Sequence, residues 1–327
     1  MKCLVTGATG FIGYNLVQLL LQEEQQVTCL IRQTSDLRWL NSLGTVKYVH
    51  GDITSPESLP AAVKEAEWIF HMAGLTTAVN REGYFQVNHL GTRNILDAIG
   101  DHCQDPKRFI LISSLEAAGP TTIESPLTES DPPQPISHYG ESKRAAELAT
   151  LDYREQFPVT IIRPPIVYGP LDVALHPFFQ LISRGWQLNL TGRDLYLSLI
   201  YVKDLVRAAL TLAESDSPSG EMYYVSDRYF YSVNQLQAII ADVLETSTRR
   251  IPVPRSLLYP AAFLSEVYIK LFRKPSFLNY QKIKVVNQSA WICRSDKIAE
   301  EAGYQPDYSL ADGAGETIEW YRNHGWL

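Results

Sequence analysis

The chain has 327 residues, 45% of them hydrophobic and 20% charged, with a formal net charge of -7. That length holds one large or two modest domains with a substantial core, and the composition is that of a folded globular protein. The negative balance gives no support to a nucleic-acid partner, and no apolar run reaches the length of a membrane span.

In chain order, Cys3-Leu4-Val5 forms a brief apolar strand that ends in Thr6-Gly7. Ile12, Leu16, Leu19 and Leu20 then fall on one helical face. Strands are predicted over 27–31 and 46–49, the latter followed by Gly51-Asp52. Ser55-Pro56 offers an N-cap and a first-turn proline for a helix. Strand 68–70, helix 85–99 and strand 109–112 follow. Strand 159–162 is stopped by Pro164-Pro165.

Beyond Pro170, helices are predicted over 178–184, 202–213, 233–244 and 257–272, with a strand over 222–225. Near-continuous apolar strands separated by helices imply an α/β fold, a doubly wound parallel (Rossmann) sheet covered on both faces. The division expected is a dinucleotide-binding domain over 1–170, to which 198–226 returns. A smaller C-terminal substrate-binding domain takes 171–197 and 227–327 and folds over the carboxyl ends of the strands.

The turn TGATGFIG at 6–13 joins the first strand to the first helix. Gly7 permits a tight turn, Gly10 a close approach of backbone to pyrophosphate, and Gly13 close packing of helix on sheet. The amides around Thr9, Phe11 and Ile12 and the positive helix end then stabilise phosphate. At the end of the second strand many NAD-specific folds carry an acid. Here Arg32 stands instead, and a guanidinium suits a 2′-phosphate, so NADP is favoured over NAD. The plain alternative is a solvated loop arginine. Asp52, after the third strand, is placed to reach the adenine edge or to close an ordinary turn.

In HYGESK at 138–143, Tyr139 and Lys143 are four apart and share a helical face. A phenol is a poor base at neutrality, and a nearby ammonium favours its phenolate. Ser113 and Ser114 end the fifth strand at the same edge of the sheet. A hydroxyl there can hold a substrate oxygen as charge develops on it.

These features, with GDIT at 51–54, HMAG at 71–74, VNHLGTRN at 87–94, ISS at 112–114 and RPPIVYGP at 163–170, resemble the extended short-chain dehydrogenase/reductase family. That family includes NAD-dependent epimerases, dehydratases, 3β-hydroxysteroid dehydrogenases and dihydroflavonol reductases. The resemblance implies that Tyr139 is the acid/base, that Lys143 holds the nicotinamide ribose and that Ser114 binds the reacting oxygen. It places Ile53, His71, Met72, Ala73, Gly74, Asn88 and Ser113 along the cofactor cleft, and Pro164 to Ile166 beside the nicotinamide. It also implies a homodimer through the helices of 88–99 and 139–153.

Two departures bear on the substrate. Nucleotide-sugar epimerases often carry an asparagine where Ile166 stands and a diphosphate-gripping arginine where Leu197 stands; Arg193 is the nearest substitute. The pocket is therefore expected to take a fairly apolar secondary alcohol or ketone. The segment 252–291 looks like the hydroxysteroid-dehydrogenase side of the family, with Tyr259, Phe263 and Tyr268 as pocket-lining or core residues.

The expected activity is NAD(P)-dependent hydride transfer. The alternatives are a nucleotide-sugar epimerase or dehydratase with transient hydride transfer, and a cofactor-binding sensor without turnover. Cys3, Cys29, Cys103 and Cys293 form no CxxC pair, so free thiols and a cytoplasmic setting are expected, and no metal site. Segment 257–272 reads as an amphipathic or core helix, with contact to a membrane surface as its alternative.

Overall fold

The computed structural model describes residues 1–272 and 279–327. The apolar runs of the first half become β1 Lys2–Thr6, β2 Gln26–Ile31, β3 Lys47–His50, β4 Trp68–His71, β5 Arg108–Ile112 and β6 Val159–Arg163. With strand Glu221–Tyr224 they form a seven-stranded sheet in the order Glu221–Tyr224, β6, β5, β4, β1, β2, β3. Every pairing within it is parallel. β4, β5 and β6 are buried along their whole length. Covered on both faces, such strands read as unbroken apolar runs rather than alternating ones.

Alternation instead decides which layer each side chain joins. Cys3, Val5, Phe70 and Ile110 pack with Leu16 and Leu20 of helix α1 (Phe11–Gln22) and with Leu205 of helix Val202–Glu214. Leu4, Ile69, Phe109 and Leu111 pack on the opposite face. There they meet α2 (Pro60–Val63), α4 (Gly91–His102) and α5 (His138–Leu151). The one-turn helix α3 (Arg81–Tyr84) leads towards α4. The strand order reverses between β1 and β4, so the turns that follow these two strands diverge and open a crevice at the carboxyl edge.

Several local expectations are corrected. After Ser55-Pro56 the chain makes a 3₁₀ turn, Pro56–Ser58, and only then the single turn α2; the Ser55 side chain caps nothing. Ser58 takes the local hydrogen bonds instead, receiving the Asp52 amide at 2.9 Å. The segment 85–99 is not one α-helix: Phe85–Leu90 is wound as π-helix before α4 begins. The second half also holds short strands that its composition does not signal. Ile166–Tyr168 pairs with Leu199–Tyr201, and Trp186–Leu190 with Arg249–Val253. Tyr196–Leu197 lies between Tyr231–Ser232 and Ala290–Trp291. Helices Tyr280–Val286, Asp296–Ala302 and Leu310–Asn323 complete this half.

Helix Leu258–Phe272 forms as expected but buries only Ala262 and Ile269. Of the apolar segment 252–291, residues 273–278 lie outside the described ones. Cys3, Cys29, Cys103 and Cys293 are all free. Among the described residues no helix is long and apolar enough to cross a membrane, and no group of His, Cys, Asp or Glu is arranged to hold a metal.

Candidate active site

The crevice is built first from glycines. Gly7 sits at φ +69°, and a Cβ there would lie 2.6 Å from the Ala73 amide nitrogen. A Cβ on Gly13 would lie 2.2 Å from the Gly7 carbonyl oxygen, so α1 packs directly on its own entry turn. Gly10 caps α1 with no side-chain hydrogen bond, and the first turn carries no acid. Its leading amides, beside Thr9, Phe11 and Ile12, are thus left for an external anion at the positive end of the helix. The Met72 amide donates to the Thr6 carbonyl at 3.2 Å and the Ala73 amide to Thr6 Oγ1 at 3.3 Å, which straps the two turns together. This glycine-lined cradle, with free donors and no competing carboxylate, fits a dinucleotide pyrophosphate.

At the far end of the crevice Arg32 is exposed just past β2, its amide donating to Ser35 Oγ at 2.9 Å. Asp36, the next acid along the chain, pairs with Arg38 at 2.7 Å. Asp52 closes a turn, its Oδ1 accepting from the Thr54 amide and hydroxyl, both at 2.8 Å. Ile53 is buried against Gly91. Two of the residues expected along the cleft are structural struts. His71 is fully buried, with Nδ1 2.7 Å from Thr6 Oγ1 and Nε2 3.1 Å from Thr92 Oγ1. Burial, then the Lys143 charge, pushes it down to about 3, so the ring is neutral. Asn88 is buried in the π-helical turn. It accepts from the Leu75 amide at 2.7 Å and donates to Ser142 Oγ at 2.9 Å, fixing the loop after β4 against α5.

The chemical end lies where β5 and β6 stop and α5 begins. Ser137 caps α5 by accepting from the Gly140 amide at 3.0 Å, and donates to Glu116 Oε2 at 2.7 Å. That cap sets Tyr139 in the first turn and Lys143 one turn later. Lys143 Nζ donates to the Ile112 carbonyl at 2.5 Å and lies 3.7 Å from where a Gly74 Cβ would stand, on the crevice side. Burial brings this ammonium down to about 8, opposed by the Glu147 charge.

Ser114 caps the short turn Leu115–Ala117, its Oγ accepting from the Glu116 amide at 3.1 Å. The expectation that Lys143 draws the phenol towards neutrality is not met, because another influence outweighs it. Burial raises Tyr139 well above the ordinary phenol range, the Glu116 charge adds to this, and a hydrogen bond with Ser114 opposes it. Ser113 does not face the cleft with its side chain. Its hydroxyl is buried and donates to Glu147 Oε1 at 2.5 Å.

Ser114 and Tyr139 open into a cleft of about 630 Å³. Ile166, Val167, Leu195, Leu197, Val285 and Trp291 supply much of its wall. Pro164, just before it, is tied into the loop by accepting from the Leu115 amide at 2.8 Å. Among the described lining residues the charged ones are Glu116 and Lys282, 3.9 Å apart. Thr76, Thr77 and Tyr84 also line it. Sequence reading missed these, because loop threonines and a helical tyrosine carry no chemical signature until the chain folds. Arg193 stays outside this wall, donating to the Asn287 carbonyl. Tyr259, Phe263 and Tyr268, expected in the pocket or the core, are on the surface.

The model of the NAD dependent epimerase/dehydratase family matches residues 3–226. The chain is 32% identical over 326 residues to the ceramide reductase of Caulobacter vibrioides, covering 99% of this chain and 95% of that protein. It is 26% identical to the dTDP-D-glucose 4,6-dehydratase of Homo sapiens, covering 99% and 91%. The crystal structure of DesIV, a dTDP-glucose 4,6-dehydratase from Streptomyces venezuelae with NAD and TYD bound, superposes with a TM-score of 0.79 at 25% identity, covering 100% and 99%. The family model spans most of the chain and the parallel sheet is the fold of these neighbours: the chain is an NAD-dependent enzyme of the extended short-chain dehydrogenase/reductase family.

Proposed function

We propose that the protein reduces a lipid-like ketone, or oxidises the corresponding secondary alcohol, with Ser114, Tyr139 and Lys143 as the working residues. The observation that carries this reading is the cleft wall: Leu197 and Ile166 line it, and no arginine is among the described residues that do. A nucleotide sugar brings a diphosphate, which needs cationic partners when buried. An acyl chain needs only the aliphatic surface present here. Similarity to a ceramide reductase points the same way.

The nicotinamide dinucleotide, when bound, supplies or accepts the hydride. The 7–13 turn would hold its pyrophosphate with backbone amides, opposite Met72 to Gly74. Lys143, on the crevice side near Gly74, would hold the nicotinamide ribose and supply a positive charge beside it. Ser114 Oγ donates to the substrate oxygen, and the Tyr139 phenol passes its proton to that oxygen as the carbonyl carbon becomes tetrahedral. The same phenol would take the proton back in the oxidative direction.

The exposed Arg32, with Asp36 engaged by Arg38, favours NADP over NAD. Arg32→Ala is expected to raise KM for NADPH about tenfold while leaving KM for NADH unchanged; initial rates with both cofactors check this. A homodimer through the helices of 88–99 and 139–153 fits the exposed Leu90 and Leu148 on those segments.

The second reading, an epimerase or dehydratase, draws on Glu116, a carboxylate in the cleft wall beside Ser114. Net redox change separates the two. With long-chain β-hydroxy ketones or 3-keto amides, one reduced nicotinamide should disappear per ketone consumed. Turnover of a nucleotide sugar with no change in absorbance at the nicotinamide band would overturn the reductase reading.

A further inference from the structure

Helix Leu258–Phe272 stands apart from the other described helices. Its sequence, LYPAAFLSEVYIKLF, is apolar nearly all round, with Glu266 and Lys270 its charged residues. A helix of that kind is ordinarily buried on all sides. Here Ala262 and Ile269 face inward and the opposite face is open. Phe263 is 57% exposed, Leu264 68%, Leu271 72% and Phe272 61%. Leu264, Tyr268 and Leu271 follow one another at helical spacing along this outward face, so the exposed side chains form a continuous stripe rather than scattered positions.

The charge of this part of the chain is opposite to that of the whole protein. Between Arg249 and Trp291, leaving out residues 273–278, the basic residues are Arg249, Arg250, Arg255, Lys270, Lys282 and Lys284, against the single acid Glu266, in a chain of net charge -7. Arg249, Arg250, Lys270 and Lys284 are exposed. The stripe is also one layer from the cleft. Helix Tyr280–Val286 packs beside it, with the Tyr280 amide donating to Glu266 at 3.4 Å. The same helix contributes Gln281, Lys282, Val285 and Val286 to the cleft wall.

We infer that the 258–272 helix lies on an anionic membrane surface, apolar stripe inserted between headgroups and flanking lysines and arginines against them. A second protein copy would bury the stripe equally well. However, a copy brings the same cationic surround, and the two would repel, whereas an anionic bilayer satisfies both features. The use of the site, taking a lipid-like substrate from the bilayer into the neighbouring cleft, rests on the function proposed above; the docking itself does not.

The test is flotation of the purified full-length protein with vesicles of phosphatidylcholine alone and of phosphatidylcholine with phosphatidylglycerol. Binding to the anionic vesicles should exceed binding to the neutral ones by about tenfold and fall in high salt. The double variant Leu264→Glu/Leu271→Glu changes two solvent-facing positions, so the fold is retained. It should lose about tenfold of the vesicle binding while reducing a short water-soluble ketone at the wild-type rate. Lys270→Glu/Lys284→Glu should lose the preference for anionic lipid. Absence of wild-type flotation overturns the inference. So does a self-associated form in sedimentation velocity that Leu264→Glu/Leu271→Glu dissociates. Flotation by a protein that turns over only soluble polar substrates leaves the docking standing and removes the lipid-substrate reading instead.

Discussion

Replacing Tyr139 with phenylalanine is expected to lower kcat by about 10²–10⁴-fold, the span that a positioned acid or base contributes, with dinucleotide affinity unchanged. The hydroxyl is the atom removed; ring and backbone stay, so the helix start at Ser137 and the packing against Tyr84, 6.1 Å away between ring centroids, are preserved. The phenol bonds Ser114, so its loss also frees that hydroxyl. Ser114→Ala should therefore be less damaging when combined with Tyr139→Phe than in the wild type, because residues acting on one oxygen do not contribute independently. Single-turnover kinetics measure the chemical step, and titration of nicotinamide fluorescence measures the affinity. A sensor without turnover would show no change in either, and that result would sink the enzymatic roles given to these residues.

The largest expected loss of stability lies behind the site rather than in it. Glu147 on α5 is wholly buried and accepts from Arg163 Nε at 2.8 Å and Nη2 at 2.7 Å, from Arg144 at 3.0 Å and from Ser113 Oγ at 2.5 Å. Arg163, at the end of β6, is buried too and donates its remaining Nη1 to the Tyr224 hydroxyl at 3.1 Å. Glu147→Ala leaves that guanidinium without its anion in a water-excluded layer. Removing one partner of such a pair costs about 3–5 kcal/mol, a large part of the stability of an ordinary domain. Urea unfolding monitored by tryptophan fluorescence checks this.

The double replacement Glu147→Leu/Arg163→Met should cost much less than Glu147→Ala, since two charges are then removed together and their burial penalty disappears. Equal losses in both variants would show that packing, not charge, is at stake. The pair also bears on function. It ties α5, which carries Tyr139 and Lys143, to β6 and, through Ser113, to the end of β5, so buried hydrogen bonds join the three elements that meet at the site. The Glu147 charge further supports the ammonium of Lys143 against burial. Glu147→Ala should therefore lower the pH at which Lys143 loses its proton, even where the variant remains folded.

The cofactor fold and the side-by-side placement of Tyr139 and Lys143 were legible in the residues because both depend on local constraints. Only glycine tolerates the backbone at Gly7 and the approach at Gly13, and only a spacing of four puts Tyr139 and Lys143 on one helical face. Strands covered on both sides are mostly apolar, so the central strands announced themselves as nearly unbroken runs, while edge strand β3 is only partly apolar. What folding in three dimensions decided was everything that depends on partners distant in sequence. His71 reads as a cleft residue yet is a buried strut, since Thr6 and Thr92 close on it from two other elements. Ser113 stands beside Ser114 but alternation along the extended backbone turns it into the opposite layer, onto Glu147. The sign of the Tyr139 shift runs against the expectation because a spacing reveals the neighbouring ammonium but not the depth of burial, and burial is the larger effect. The aromatic run of 257–272 could be read as pocket, core or surface from its composition alone. Only the packing of helix Tyr280–Val286 against one side of it, with the other side open among the described residues, made it a surface.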